Sequence, residues 1–189
     1  MVYFCVMSRN YKFHNPEGIY FVSTSVIDWL DVFTRIEYKE IIIESLKYCQ
    51  SQKGMEIHAY CIMTNHIHLI FRSTSKSNPP QNILGDFKRF TSKKLVKTII
   101  DNPKESRKDL FIEQFKKAAK KSSNVNKYKF WRHDNMPIEI WSNSIIDRKI
   151  NYIHNNPVVT GCVDCPYDYI YSSARNYAGR DGVLDVVCL

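Results

Sequence analysis

From His66 to Phe71 the chain runs His-Ile-His-Leu-Ile-Phe, with polar and apolar residues alternating over its first four positions. A two-residue period does not fit a helix and predicts a strand, with successive side chains on opposite faces. Ile67, Leu69 and Phe71 then point into a core, while His66 and His68 stand side by side on the other face. Upstream, Glu56 to Met63 is a second β-type run, and Thr64-Asn65 between the two has the length of a tight hairpin turn. The chain must therefore contain an antiparallel pair carrying two neighbouring imidazoles.

The flanking segments supply helices and further strands. Gly18 to Thr24 reads as a strand after the Asn15-Pro16 turn signal. Asp31 to Gln50 has helical spacing in Ile36, Ile41, Ile42, Ile43, Leu46 and Tyr48, and Lys53-Gly54 ends it. After the loop Ser77 to Gln81, a helix is expected from about Asn82 to Ile100, with Ile83, Leu84, Phe87, Phe90, Leu95 and Ile99 toward the core. Asp101-Asn102-Pro103 breaks it. Lys104 to Asn126 is basic and partly helical, with a second half of mobile character. Lys127 to Trp131 and Pro137 to Trp141 suit short strands or extended segments, with Trp141 assigned to the core beside Ile138 and Ile140. Ser142 to Asn156 is a helix capped by Ser142 or Asn143, with Ile145, Ile146, Ile150 and Ile153 as its apolar stripe and Pro157 as its stop. A short helix fits Ser172 to Tyr177. Helices attached to a mostly antiparallel sheet give an α+β fold, and no linker divides residues 1–189, which read as a single domain with a basic insertion at about 104–127.

Charge and cysteine usage narrow the function classes. The net charge is +8, and between Asp86 and Lys121 there are 12 Lys or Arg against 5 Asp or Glu, a net of +7. Charge gathered in this way attracts polyanions, although a solvated helical face gives the same composition. No apolar run is long enough to span a membrane. The opening MVYFCVM lacks a basic leader and cleavage site and is expected to be mature chain. Six scattered cysteines without a secretory signal argue against a disulfide framework and for the cytoplasm. The Cys162/Cys165 pair alone is a weak zinc signal.

A second constellation lies in the helix Ser142 to Asn156. Helical spacing puts Arg148, Tyr152 and Asn156 in one stripe, four residues apart. A phenol, a guanidinium and an amide oxygen suit phosphate chemistry, but with 12 tyrosines in the chain any one of them is more often a packing residue. A His-x-His pair is likewise more often structural. The histidine-triad nucleotide hydrolases need a third His where this chain has Ile70.

Taken together, the two blocks resemble a known family. YCIMTNHIHLIF is similar to the His-hydrophobic-His signature of HUH endonucleases, and YIHNNPVVTGCVDCPYDYIYSSARNYAG resembles the tyrosine block and tail of REP-associated tyrosine transposases, relatives of the single-tyrosine transposases. The similarity covers about Gly18 to Ile100 and about Tyr128 to Gly179. The resemblance implies a ferredoxin-like antiparallel sheet with helices packed on one face and a C-terminal tyrosine-bearing helix. It implies His66, His68 and Asn156 as ligands of Mg2+ or Mn2+, Tyr152 as nucleophile through a 5′-phosphotyrosine, and hairpins in single-stranded DNA as substrate. Imidazole ligands favour Mn2+ of the two. Arg148 would neutralise a phosphate oxygen, and DNA contacts are expected from Lys88, Arg89, Lys93, Lys94 and Arg132. Trp131 is the candidate for base stacking, with core packing as its alternative. The chain departs from the family at Thr64, where Pro is usual, at Arg132, where Gln is usual, and in the length of the basic insertion. Monomer and homodimer both stay open. The rival readings are a domesticated, non-catalytic nucleic-acid-binding protein of the same fold and a histidine-metal hydrolase without a covalent intermediate.

Overall fold

The computed structural model describes residues 12–122, 127–133 and 135–189. The apolar opening, Cys5, the end of the basic insertion and Asp134 lie outside the described residues. Four strands, β1 (Ile19–Ser25), β2 (Met55–Ile62), β3 (His66–Ser73) and β4 (Ile138–Ile140), form one antiparallel sheet in the order β2-β3-β1-β4. The histidine strand is thus central, hydrogen-bonded on both sides.

Alternation sorts the side chains as expected. Ile67, Leu69 and Phe71 join Tyr20 and Val22 in a core beneath α1 (Ile36–Lys53) and α2 (Pro80–Asp101). Phe21, Ala59, Cys61 and Ile70 form a second cluster on the opposite face, covered by Ile150 and Ile153 of α4 (Asn143–Val159). Helices α1 and α2 therefore back one face and the tyrosine helix crosses the other. In β2 the register shifts between Ile57 and Ala59. His58 is the extra residue of a bulge, so Ile57 and Tyr60, three apart, both reach the first core. Gly54 ends α1 in the left-handed conformation at φ 73°, and a Cβ there would meet that of Ser75 at 2.9 Å.

The basic insertion is docked more firmly than its composition suggested. Helix α3 (Lys108–Lys120) includes Lys116 to Lys120, which were expected to be mobile. Phe111, Phe115 and Ala119 recur every four residues and are buried, with the Phe115 and Phe130 rings 5.1 Å apart. Ahead of α3, the buried Glu105 carboxylate accepts from Arg35 Nε at 2.8 Å, Arg107 Nε at 3.3 Å and Tyr38 Oη at 3.2 Å.

Four other expectations need correction. Phe90 is exposed, because the buried stripe of α2 runs through Phe87, Thr91 and Leu95 and leaves Phe90 on its flank. Ile36 and Tyr48 are exposed on α1 for the same reason. Trp141 is 79% exposed: Ile140, the last residue of the edge strand β4, is buried, and Trp141 follows it beyond the strand. Pro157 does not stop α4, which continues to Val159. In the last turn a proline forfeits one backbone bond, and its own carbonyl still accepts from the Cys162 amide at 2.8 Å.

After α4 the chain returns along the outer edge of β2. Ser173 N–H donates to the Tyr60 carbonyl, Ser173 Oγ accepts from the Tyr60 amide, and Val187 N–H donates to the Ile57 carbonyl, closing an otherwise open edge. The short helix α5 (Ala174–Tyr177) lies in this return. Among the described residues Cys49, Cys61, Cys162, Cys165 and Cys188 are free thiols, and no helix is long and apolar enough to cross a membrane.

Candidate active site

Strand β3 carries His66 and His68 onto the face that α4 covers, and their ring centroids are 4.6 Å apart. Helix α4 brings Tyr152 over the pair, with its ring 5.1 Å from that of His68, while half of the phenol stays exposed. One turn on, Asn156 Nδ2 lies 3.2 Å from His68 Nε2. Four side chains separated by up to 90 residues thus converge at one place. Phe21 floors it, stacked on His68 at 5.7 Å and edge-on to Tyr152 at 6.1 Å.

The imidazoles are held neutral. Burial pushes the pKa of His68 down to about 3, helped by His66 and by Lys149. Burial also lowers that of His66, against the pull of Asp31. Neutral imidazole is the metal-binding form. His66 Nδ1 lies 2.7 Å from Asn65 Oδ1, an acceptor, so Nδ1 carries the proton and Nε2 keeps its lone pair. Asn65 Nδ2 in turn donates to Asp31 Oδ1 at 3.0 Å, and Thr64 Oγ1 donates to the same oxygen at 2.6 Å. The hydroxyl of Thr64 therefore joins the support of the first histidine. His68 Nδ1 is buried without a hydrogen-bond partner. Two neutral imidazoles, one with an orphaned nitrogen, and a carboxamide beside them fit a divalent ion. Among the described residues no three His, Cys, Asp or Glu side chains gather at one point, and the further polar side chain against the pair is Asn156.

Arg148 lies on the exposed flank of α4, and the cation against the tyrosine is its neighbour Lys149. Lys149 Nζ sits 4.3 Å from the Phe21 centroid and 5.8 Å from that of Tyr152. Burial and then Arg148 lower its pKa.

The candidate DNA contacts divide. Lys88, Arg89, Lys93 and Arg132 line a groove of about 900 Å³ between α2 and residues 127–133, together with Lys97, Lys127 and Lys129. Lys88 is also tied to the groove's far wall, donating to the Arg132 carbonyl at 2.7 Å and to Asn135 Oδ1. Lys94 faces away, toward Glu37 and Asp101. Trp131 does not present its ring for stacking. It is 5% exposed, packs on Phe33, Phe87 and Phe130, and donates from Nε1 to Thr91 Oγ1 at 3.0 Å. The single β-bridge to Val26 pulls it inward, so core packing prevails. Asp31, Asn65 and Lys149 were missed as members of the site. Asn65 and Lys149 adjoin residues already singled out, whereas nothing in the sequence ties Asp31 to Asn65, 34 residues on.

A four-stranded antiparallel sheet with two helices behind it and a tyrosine-bearing helix across its histidine face defines the class as α+β. The chain belongs to the IS200-like transposase family, whose model matches residues 30–130. That segment contains both histidines and ends before α4. Among solved structures, a REP-associated tyrosine transposase bound to a REP hairpin is similar over 97% of this chain and 95% of that one, at 17% identity and a TM-score of 0.62, a likeness of fold. No curated protein matches.

Proposed function

We propose that this transposase is a metal-dependent single-strand DNA endonuclease that cuts and rejoins DNA through a 5′-phosphotyrosine on Tyr152. The observation that carries the reading is the convergence of Tyr152 and Asn156 on the neutral His66/His68 pair. His66, His68 and the amide oxygen of Asn156 would hold Mg2+ or Mn2+, which supplies Lewis-acid polarisation of the scissile phosphate.

Tyr152 Oη attacks phosphorus, forming the Tyr–O–P bond as the bond from phosphorus to the 3′ oxygen breaks. The phenol loses its proton to water and the departing 3′ oxygen gains one. Lys149, 5.8 Å from the Tyr152 ring, would offset negative charge on a phosphate drawn up to the phenol. The ester conserves the bond energy, so a 3′ hydroxyl can reverse the step and join strands. The basic groove would guide the single strand flanking a DNA hairpin, the kind of ligand the similar solved protein holds. Residues 1–189 would act as one cytoplasmic domain, and a single chain supplies the whole proposed centre, whether the protein works as monomer or homodimer.

The test is a denaturing gel of the protein with labelled hairpin oligonucleotides from the flanks of its own gene in Mn2+. The expected result is a band in which protein and DNA stay joined, absent for Tyr152→Phe and for His66→Ala/His68→Ala. Tight binding without such a band would favour a domesticated DNA-binding protein. Cleavage that survives Tyr152→Phe would indicate a metal hydrolase.

A further inference from the structure

Between β1 and α1 the chain makes a short 3-10 turn, Ile27–Trp29, whose backbone is unusual. Asp28 and Trp29 both take positive φ, 50° and 54°. Left-handed backbone at a bulky aromatic residue is a genuine outlier, and such outliers persist where the surroundings enforce them, often at ligand clamps. Here the turn is pinned from several sides. Ile27 is buried and donates from its amide to the Phe130 carbonyl at 2.9 Å, and Leu30 N–H donates to the Ile27 carbonyl at 3.2 Å. The Trp29 carbonyl accepts from Asn65 Nδ2 at 3.3 Å, the same amide that serves Asp31.

The enforced conformation leaves the indole 52% exposed beside the histidines. Its ring meets His66 edge-on at 5.9 Å, and the Arg132 guanidinium lies 5.5 Å over it. Arg132 also lines the basic groove. A continuous path therefore runs from the groove through Arg132 and Trp29 to His66. An exposed tryptophan alone signifies little. Trp141 is more exposed and has no left-handed backbone. Trp29 differs in being held rigid, by a strained turn, between a cation-lined groove and the proposed metal ligands.

We propose that Trp29 is a stacking platform for an unpaired nucleobase of the DNA strand as it passes from the groove to the tyrosine. An indole face accepts any base, and a guanidinium beside it adds cation–π attraction and phosphate neutralisation. The platform rests on the reading that a single strand is bound at this centre. It replaces the buried Trp131 as the aromatic partner of the basic helix.

The experiment measures binding in EDTA, so that cutting plays no part. A fluorescein-labelled dT oligonucleotide of about 12 nucleotides, within the span such binders cover, is titrated with wild type, Trp29→Ala, Trp29→Phe and Trp141→Ala, and a blunt hairpin without single-stranded tails is titrated in parallel. Trp29→Ala should weaken dT binding about tenfold, Trp29→Phe by about threefold or less, and Trp141→Ala not at all. All four proteins should bind the blunt hairpin alike. The proposal is overturned if Trp29→Ala binds dT as wild type does, if it loses as much on the blunt hairpin, or if the wild type does not bind dT. Because no metal is present, the result is independent of the Tyr152 adduct. A tenfold loss in a protein that forms no adduct would leave the platform standing and remove the nickase.

Discussion

Residue by residue, the proposed centre depends as much on what holds the histidines as on the histidines themselves. Asn65 fixes the tautomer of His66, Asp31 holds Asn65, and Thr64 in turn holds Asp31. Outer partners of a ligating imidazole commonly change metal affinity by about 10- to 100-fold. Asn65→Ala should accordingly weaken Mn2+ binding by about tenfold or more, read by calorimetry with the wild type as reference. Unchanged affinity would mean that the Asn65 contact does not orient a ligand. The two imidazoles were legible from their alternation with Ile67 and Leu69. Their support was not, because Asp31 reaches them only through the turn that strand pairing creates.

At the scale of elements, the helices were read well in place and less well in orientation. Spacing located α1, α2 and α4, but it could not say that Phe90 would lie on the flank of α2 or that Trp141 would fall just beyond the end of an edge strand. Composition misjudged the insertion, since lysine content conceals the Phe111/Phe115 stripe and the buried anchor at Glu105. Burial alone would raise the Glu105 pKa, but the Arg107 amide and the Arg35 and Arg107 guanidinium groups outweigh it and hold the carboxyl below its ordinary value. Removing one member of a buried ionic cluster leaves the others uncompensated and costs about 3 kcal/mol. Glu105→Ala should lower unfolding stability by that order in denaturant titration and speed proteolysis within residues 104–122. A variant as stable and as protease-resistant as wild type would show that Phe111 and Phe115 alone seat α3.

For the molecule as a whole, buried neutral histidines tie stability to pH. Burial lowers the pKa of His154 to about 4 and also lowers that of His58, and both residues help fasten the C-terminal return, through Ser173 at 2.8 Å and the Val187 carbonyl at 2.9 Å. The unfolded chain takes up these protons near the ordinary value of 6.5 and the folded chain does not, so stability is full above 6.5 and declines as pH falls toward 4. His154 alone would contribute about 3 kcal/mol of that decline. Guanidinium midpoints at pH 7.5 and 4.5 test it, and equal midpoints would count against neutral burial.

The central position of β3 bears on how such a protein changes over generations. One run of residues divides its labour by parity, with Ile67, Leu69 and Phe71 feeding the core while His66 and His68 face α4. A lineage that gives up cutting can exchange the two imidazoles and keep the apolar positions, retaining a folded protein that still grips DNA. A lineage that shifts the strand by a single residue loses core and chemistry together. Activity is therefore easier to shed than architecture, and descendants of such an enzyme would survive as binders more readily than they would vanish.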